Sequence, residues 1–384
     1  MSPPVTFLII DSTGHGGLAR AVITVANQLA GHRDVRMISV FRSGERPRYP
    51  VDPRIEHEVL VDEYDGLTVR ERVLRQRPTK LTAGDGRLSG LTDVVLRRRL
   101  ARLEPGILVT TRPTLHLAAT TWRAAGVQVV GWDHKNFPTR FAKPWLGAVL
   151  EQAVPALDAY VVLTRADAED YQRALPLGRT RVAVIRNPLS WPANEQPAPL
   201  TSRVVVGAGR LAPVKGFGRM IEAFAPVARK HPDWQLHVYG EGPRRDRLQA
   251  QVDRLGLRDQ VKLRGYARDF DAVLAGAALL AMTSRAEGFP MVLLEAMSEG
   301  LPMVAMDCPR GPGEIIVDGS NGLLVEDGDV DGFTRALLAL VEDEELRRRL
   351  GRQARLDAEQ YSVEAIAADW LALLEGLDTK ALRR

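Results

Sequence analysis

Two glutamates, Glu287 and Glu295, stand eight positions apart in AEGFPMVLLEAMSEG, residues 286–300. The residues between Gly288 and Glu295 are all apolar, from Phe289 to Leu294. Apolar residues that dense belong to a buried helix or strand. A carboxylate in such a setting needs a partner, so the pair reads as ligand-binding rather than as ordinary surface. Pro290 suits the first turn of a helix, and Gly300 suits the cap at its far end. That division leaves Glu287 in a loop and carries Glu295 on the second turn of a buried helix. The free amides and positive end of that helix face the same space as the loop Gly207–Phe217.

That loop, GAGRLAPVKGF, follows a predicted strand and opens a predicted helix, and it contains Arg210 and Lys215. Two cations at the carboxyl end of a strand suit a phosphate or diphosphate. Gly207, Gly209 and Ala212 also fit a GxGxxA pattern, and a carboxylate, Glu241, follows the next strand. A dinucleotide-dependent reading therefore stays open. An earlier loop, DSTGHGGLAR, sets Gly14, Gly16 and Gly17 between the first strand and first helix. Glycines there let the backbone approach a ligand, or simply make a tight turn. His134, in GWDHKNFP, also follows a strand, at the edge where parallel sheets bind ligands; a structural histidine is the alternative. The pairs Asp327/Asp329 and Asp329/Asp331 have the spacing of a metal-holding DxD. They open an amphipathic helix, however, where aspartates cap the chain and complement its dipole. No other metal spacing occurs, and no metal is expected.

These residues need a framework to position them. Strands are predicted at 6–10, 35–40, 107–110, 127–132 and 159–163. The pattern restarts after Asn187-Pro188, with strands at 204–207, 235–239, 261–263, 279–282 and 303–306. Helical stretches such as 18–29, 218–230 and 244–255 fall between them. Alternating strands and helices make parallel sheets covered by helices, and two series make two domains, as a length of 384 residues also suggests. Residues 1–186 are the first domain, 187–202 a Pro-rich linker and 203–360 the second domain. A strongly apolar stripe runs along 361–384, through Tyr361, Ile366, Trp370 and Leu377. It packs either on its own domain or back across the junction.

Composition is that of a globular protein, with 45% apolar and 26% charged residues. The lone Cys308 excludes an intrachain disulfide. The N-terminus has no basic, long-apolar leader, and no apolar stretch approaches the ~20 residues of a spanning helix; a cytoplasmic location is expected. The net charge of +4 is unevenly spread. Arg70, Arg72, Arg75, Arg77, Lys80, Arg87, Arg97, Arg98, Arg99 and Arg102 face only Glu71, Asp85 and Asp93 within their segment. Such a surface suits an anionic polymer, anionic lipid or plain solvation. No nucleic-acid-binding signature is present.

Residues 287–325, EGFPMVLLEAMSEGLPMVAMDCPRGPGEIIVDGSNGLLV, resemble the signature of the family 4 retaining glycosyltransferases. GGLAR (16–20), DHKNF (133–137), IRNPL (185–189), GRLAPVKGF (209–217) and YGEGP (239–243) resemble further motifs of that family. The likeness covers almost the whole chain and is least specific over residues 40–125. It implies the GT-B fold, an α/β architecture of two Rossmann-like parallel-sheet domains facing a cleft, with the final helix crossing back to the first domain. It implies a nucleotide sugar bound mainly by the second domain. Arg210 and Lys215 would hold the diphosphate and Glu295 the ribose hydroxyls. Glu287 would hold hydroxyls of the transferred sugar, with amides at Gly288 and Phe289 assisting. Gly16 and Gly17 would approach the reacting phosphate, and His134 the donor sugar. The base would lie along the loop containing Arg264, Tyr266 and Ala267. Arg210, Lys215, Glu287 and His134 would form the catalytic set.

The expectation is a retaining, metal-independent hexosyltransferase needing no cofactor beyond its nucleotide-sugar substrate, UDP-glucose or UDP-GlcNAc. CPRGPGEII is closest to members that glycosylate cell-envelope polymers such as poly(glycerol phosphate). The basic segment suits such an acceptor, or peripheral contact with the inner face of the plasma membrane. A nucleotide-sugar epimerase of the same fold would act without an acceptor, and an NAD(P)-dependent oxidoreductase would change nicotinamide absorbance.

Overall fold

The computed structural model describes residues 2–14, 16–82, 84–194 and 196–381. The chain divides into two compact units, one of Met1–Pro188 with Val363–Arg384 and one of Leu189–Ser362. The first is built on a seven-stranded sheet: β1 (Val5–Asp11), β2 (Val35–Arg42), β3 (Glu56–Asp62), β4 (Gly106–Thr110), β5 (Val127–Trp132), β6 (Ala159–Val162) and β7 (Arg181–Val184). Its order is β3-β2-β1-β4-β5-β6-β7, and every pairing is parallel. The second unit has six strands: β8 (Val204–Ala208), β9 (Gln235–Tyr239), β10 (Val261–Gly265), β11 (Leu279–Met282), β12 (Met303–Asp307) and β13 (Leu323–Glu326). They run β10-β9-β8-β11-β12-β13, again all parallel.

All the strands expected from apolar runs are present, with ends shifted by two residues or fewer. The unexpected ones, β3, β7 and β13, are all edge strands. Their residues are largely half-buried or exposed, so they lack the apolar run that marks a strand covered on both faces. In each sheet the strand order reverses once, between β1 and β4 and between β8 and β11. Connections leave such a point in opposite directions, which opens a crevice at the carboxyl ends of the two central strands.

The helix Val363–Ala381 belongs to the first unit. It buries Ile366, Ala367, Trp370, Leu373, Leu374 and Leu377. The Trp370 ring lies 4.8 Å from Trp132 and 6.3 Å from Phe7, centroid to centroid. Residues 382–384 of the expected helix lie outside the described residues. Within 187–202, residues from Leu189 onward lie in the second unit. They form no helix or strand among the described residues, but they are bonded along that unit. Leu189 N–H donates to Tyr361 O at 2.8 Å, Asn194 N–H to Ser298 O at 2.9 Å and Ala198 N–H to Glu299 O at 2.8 Å.

Candidate active site

The pairing of β8 with β11 decides the geometry of the second unit. Val205 lies beside Leu279 and Val206 beside Leu280, so the loops that leave these strands emerge side by side. The β8 loop carries Arg210 and Lys215, and the β11 loop carries Glu287. The Lys215 ammonium donates to Glu287 Oε1 at 2.6 Å. The stem of Lys215 lies over Gly209: a Cβ placed there would meet Lys215 Cε at 3.3 Å. Arg210 is exposed, and its guanidinium has no hydrogen bond or ion pair among the described residues. A paired cation and an open one thus share a single glycine loop.

Two features lock the loops together. Gly216 adopts φ +67°, and a Cβ there would lie 1.9 Å from Thr283 O. Only glycine allows that approach. Arg219, on the helix Phe217–Lys230, is buried and donates to Thr283 O at 2.7 Å and Ser284 O at 3.0 Å. It also pairs with Asp327 at 2.8 Å. Sequence reading passed over Arg219, although an arginine between Phe217 and Met220 on an apolar helix face is a visible signal.

The helix Met291–Ser298 begins after Pro290 and has no side-chain cap, which leaves its first-turn amides without a side-chain acceptor. Gly288 and Phe289 precede it, and Phe289 is buried against Tyr361 with ring centroids 5.9 Å apart. Glu295 is 8% exposed. Burying its carboxylate is tolerable only with hydrogen-bond partners, and Ser190 Oγ donates to Oε1 at 2.7 Å. Ser190 was not expected at the site; it lies in the stretch read as linker. Tyr266 follows β10 and is exposed. Of the aspartates beyond β13, Asp329 does what capping predicts, whereas Asp327 pairs with Arg219. Asp329 accepts from Gly332 N–H at 2.7 Å at the start of the helix Val330–Glu342. Among the described residues no group of three or more His, Cys, Asp or Glu could hold a metal.

The remaining expected residues lie in the first unit, at the carboxyl edge of its sheet. Gly16 caps the helix Gly17–Leu29, and both glycines are exposed; a Cβ at Gly16 would meet nothing within 4 Å. His134 follows β5, half-buried, with its ring 4.4 Å from that of Trp132. Neither ring nitrogen has a hydrogen-bond partner among the described residues. Burial pulls its pKa down to about 3, against the opposing pull of Asp133. The ring is therefore neutral at physiological pH and able to donate or accept one hydrogen bond.

Asp133 is the anchor beneath it. The Arg140 guanidinium grips both its oxygens, with Nε at 3.0 and 2.8 Å, and Tyr160 and Tyr171 donate at 2.9 and 3.3 Å. Burial pushes the Asp133 pKa up, but the charge and hydrogen bonds of Arg140 outweigh it and hold the group down at about 2. The basic segment separates into two kinds of residue. Arg75 and Arg87 pair with Glu63 at 2.5 and 3.5 Å, and Arg99 pairs with Glu58 at 2.6 Å. Arg70, Arg72, Arg77, Lys80, Arg97, Arg98 and Arg102 are exposed, with no carboxylate partner among the described residues.

Comparison with known proteins assigns this architecture. Residues 15–190 match the model of Glycosyltransferase Family 4, and residues 193–357 match that of glycosyl transferases group 1. The chain belongs to the family 4 glycosyltransferases, enzymes of the GT-B fold. An exopolysaccharide phosphotransferase of Streptomyces coelicolor is 34% identical over 97% of this chain, which spans only 41% of that protein. An uncharacterized glycosyltransferase of Haemophilus influenzae is 26% identical over 96% of this chain and 99% of its own length. A poly(glycerol-phosphate) alpha-glucosyltransferase of Bacillus subtilis is 28% identical over 56% of this chain and 32% of its own length. Among solved structures, Staphylococcus aureus TarM, in complex with fondaparinux, alpha-GlcNAc-glycerol and UDP, superposes with a TM-score of 0.78. It is 17% identical and covers 96% of this chain and 99% of its own.

Proposed function

We propose that the chain is a retaining, metal-independent glycosyltransferase that moves a hexosyl group from a UDP-sugar to an anionic cell-envelope polymer of the poly(glycerol phosphate) type. The observation that carries this reading is the Lys215–Glu287 contact of 2.6 Å beside the open guanidinium of Arg210. Breaking the sugar–phosphate bond builds negative charge on the leaving diphosphate and positive charge on the sugar. Arg210 and Lys215 stabilise the first. Glu287 hydrogen-bonds hydroxyls of the transferred sugar, aided by the amides of Gly288 and Phe289. Its ion pair with Lys215 tempers it as a nucleophile, which favours front-face attack assisted by the leaving phosphate over a double inversion. Glu295 takes the ribose hydroxyls and the loop at Tyr266 lies along the base; in the first unit, Gly16 and Gly17 are assigned to the reacting phosphate and neutral His134 to the donor sugar.

UDP in the TarM complex supports the choice of donor, and the Bacillus relative supports the acceptor class. The seven exposed cations between Arg70 and Arg102 fit a polyphosphate chain by charge. No helix among the described residues is long and apolar enough to cross a membrane, so contact with the inner membrane face would be peripheral and electrostatic. Arg210→Ala and Lys215→Ala should each lose UDP release and transfer by about a hundredfold or more. Full activity in both variants would refute the assignment. The anomeric coupling of the product in NMR tests retention.

A further inference from the structure

We propose that Ser190 is a positioning residue for the nucleotide ribose, acting through Glu295; this rests on the reading of Glu295 as the ribose ligand. Ser190 Oγ donates to Glu295 Oε1 at 2.7 Å across 105 positions of sequence. A glutamate side chain has three rotatable bonds and loses substantial freedom when fixed. A carboxylate that must accept two vicinal hydroxyls therefore benefits from being held before the ligand arrives. Ser190 supplies one charge-assisted hydrogen bond to one oxygen, and because a carboxylate can accept several hydrogen bonds, that bond does not exclude ribose hydroxyls.

Ser190 is itself held. The segment that follows it is tied to the end of the Glu295 helix at several points. Trp191 Nε1 donates to Glu299 Oε1 at 3.1 Å, and Asn194 Nδ2 donates to Glu299 Oε2 at 3.0 Å. Arg355 Nε donates to Asn194 O at 2.9 Å from the helix Glu344–Asp357. Glu299 is buried at 2% exposure, so these bonds also satisfy a charge that would otherwise be costly. Residues 190–194 and 196–198 thus form a strap along one helix. The end carrying Ser190 reaches Glu295, one turn before the residue that the other bonds grip.

The role predicts a specific readout, the discrimination of ribose from deoxyribose. UDP and 2′-deoxy-UDP would be titrated calorimetrically into the wild type, Ser190→Ala, Ser190→Thr and Glu295→Ala. The wild type should prefer UDP by about tenfold or more, and Ser190→Thr should keep most of that preference. Ser190→Ala should narrow it several-fold, and Ser190→Thr, which keeps the hydroxyl, separates that effect from any loss of stability caused by the missing bond to Glu295. In turnover Ser190→Ala should raise KM for the donor and leave kcat unchanged. If Glu295→Ala abolishes the preference while Ser190→Ala retains it in full, the positioning role is wrong and the ribose assignment stands. If the wild type shows no preference, or Glu295→Ala leaves it intact, the ribose assignment fails and the role of Ser190 fails with it. Loss of the preference in Ser190→Thr as well as Ser190→Ala counts against the role, because the hydroxyl that binds Glu295 is then present without effect.

Discussion

Single residues in this protein are tuned mostly by what surrounds them. His116 is fully buried, its Nδ1 2.6 Å from Thr110 Oγ1, and burial pulls its pKa down to about 3. The unfolded chain takes up a proton near the ordinary value of about 6.5, whereas the folded one does not until near 3. The contribution is thus neutral above pH 6.5 and destabilises increasingly as the pH falls from 6.5 towards 3. At pH 5 it amounts to about 2 kcal/mol for this histidine. His116→Gln should flatten the pH dependence of urea unfolding between pH 7.5 and 5 by about that amount. An unchanged slope would mean that His116 takes up its proton in the fold as readily as in the unfolded chain. Asp133 acts lower on the scale. Its stabilisation is complete above the ordinary carboxylate range and is lost only as the pH falls towards 2, so it does not offset the histidine over the range measured.

At the scale of elements, the site depends on adjacent strands delivering adjacent loops. Gly216→Ala tests that dependence, because its Cβ would strike Thr283 O. The β11 loop must move or the β8 loop must re-form. We expect a loss of roughly 2–4 kcal/mol in stability and at least a tenfold weaker affinity for UDP, both measurable by titration and thermal unfolding. Normal UDP affinity in a stable Gly216→Ala protein would show that the two loops need not touch. This packing also explains what the sequence made visible. Glycines 209 and 216, Arg210, Lys215 and both glutamates stand in short local motifs, so their loops and helix could be read directly. Ser190 could not, and Arg219 showed only as a charge on an apolar helix face. Their partners Glu295, Thr283 and Asp327 are distant in sequence and are set by the fold rather than by spacing. The edge strands were hidden for a related reason. Exposure on one side leaves EHEVLVD at β3 half polar, and alternation that short is indistinguishable from a loop.

For the molecule as a whole, the distribution of charge is the feature most open to test. Arg97, Arg98 and Arg102 lie on and just after the helix Gly90–Leu100 and point to no carboxylate among the described residues. Reversing all three to glutamate should raise KM for a poly(glycerol phosphate) acceptor and weaken its dependence on salt. Turnover of a short uncharged acceptor should stay the same. If the polymer is unaffected while binding to anionic vesicles is lost, the surface serves the membrane rather than the acceptor. The discontinuous first unit has a different consequence, one that concerns synthesis rather than catalysis. Residues 189–362 separate its sheet from the helix bearing Trp370. At ordinary elongation rates the ribosome takes on the order of 10–35 s to cross that gap. Throughout it Phe7 and Trp132 lack the indole that covers them. The first unit therefore cannot be completed until the whole of the second has been synthesised. A chaperone that holds the growing chain would find its natural target in that waiting apolar face.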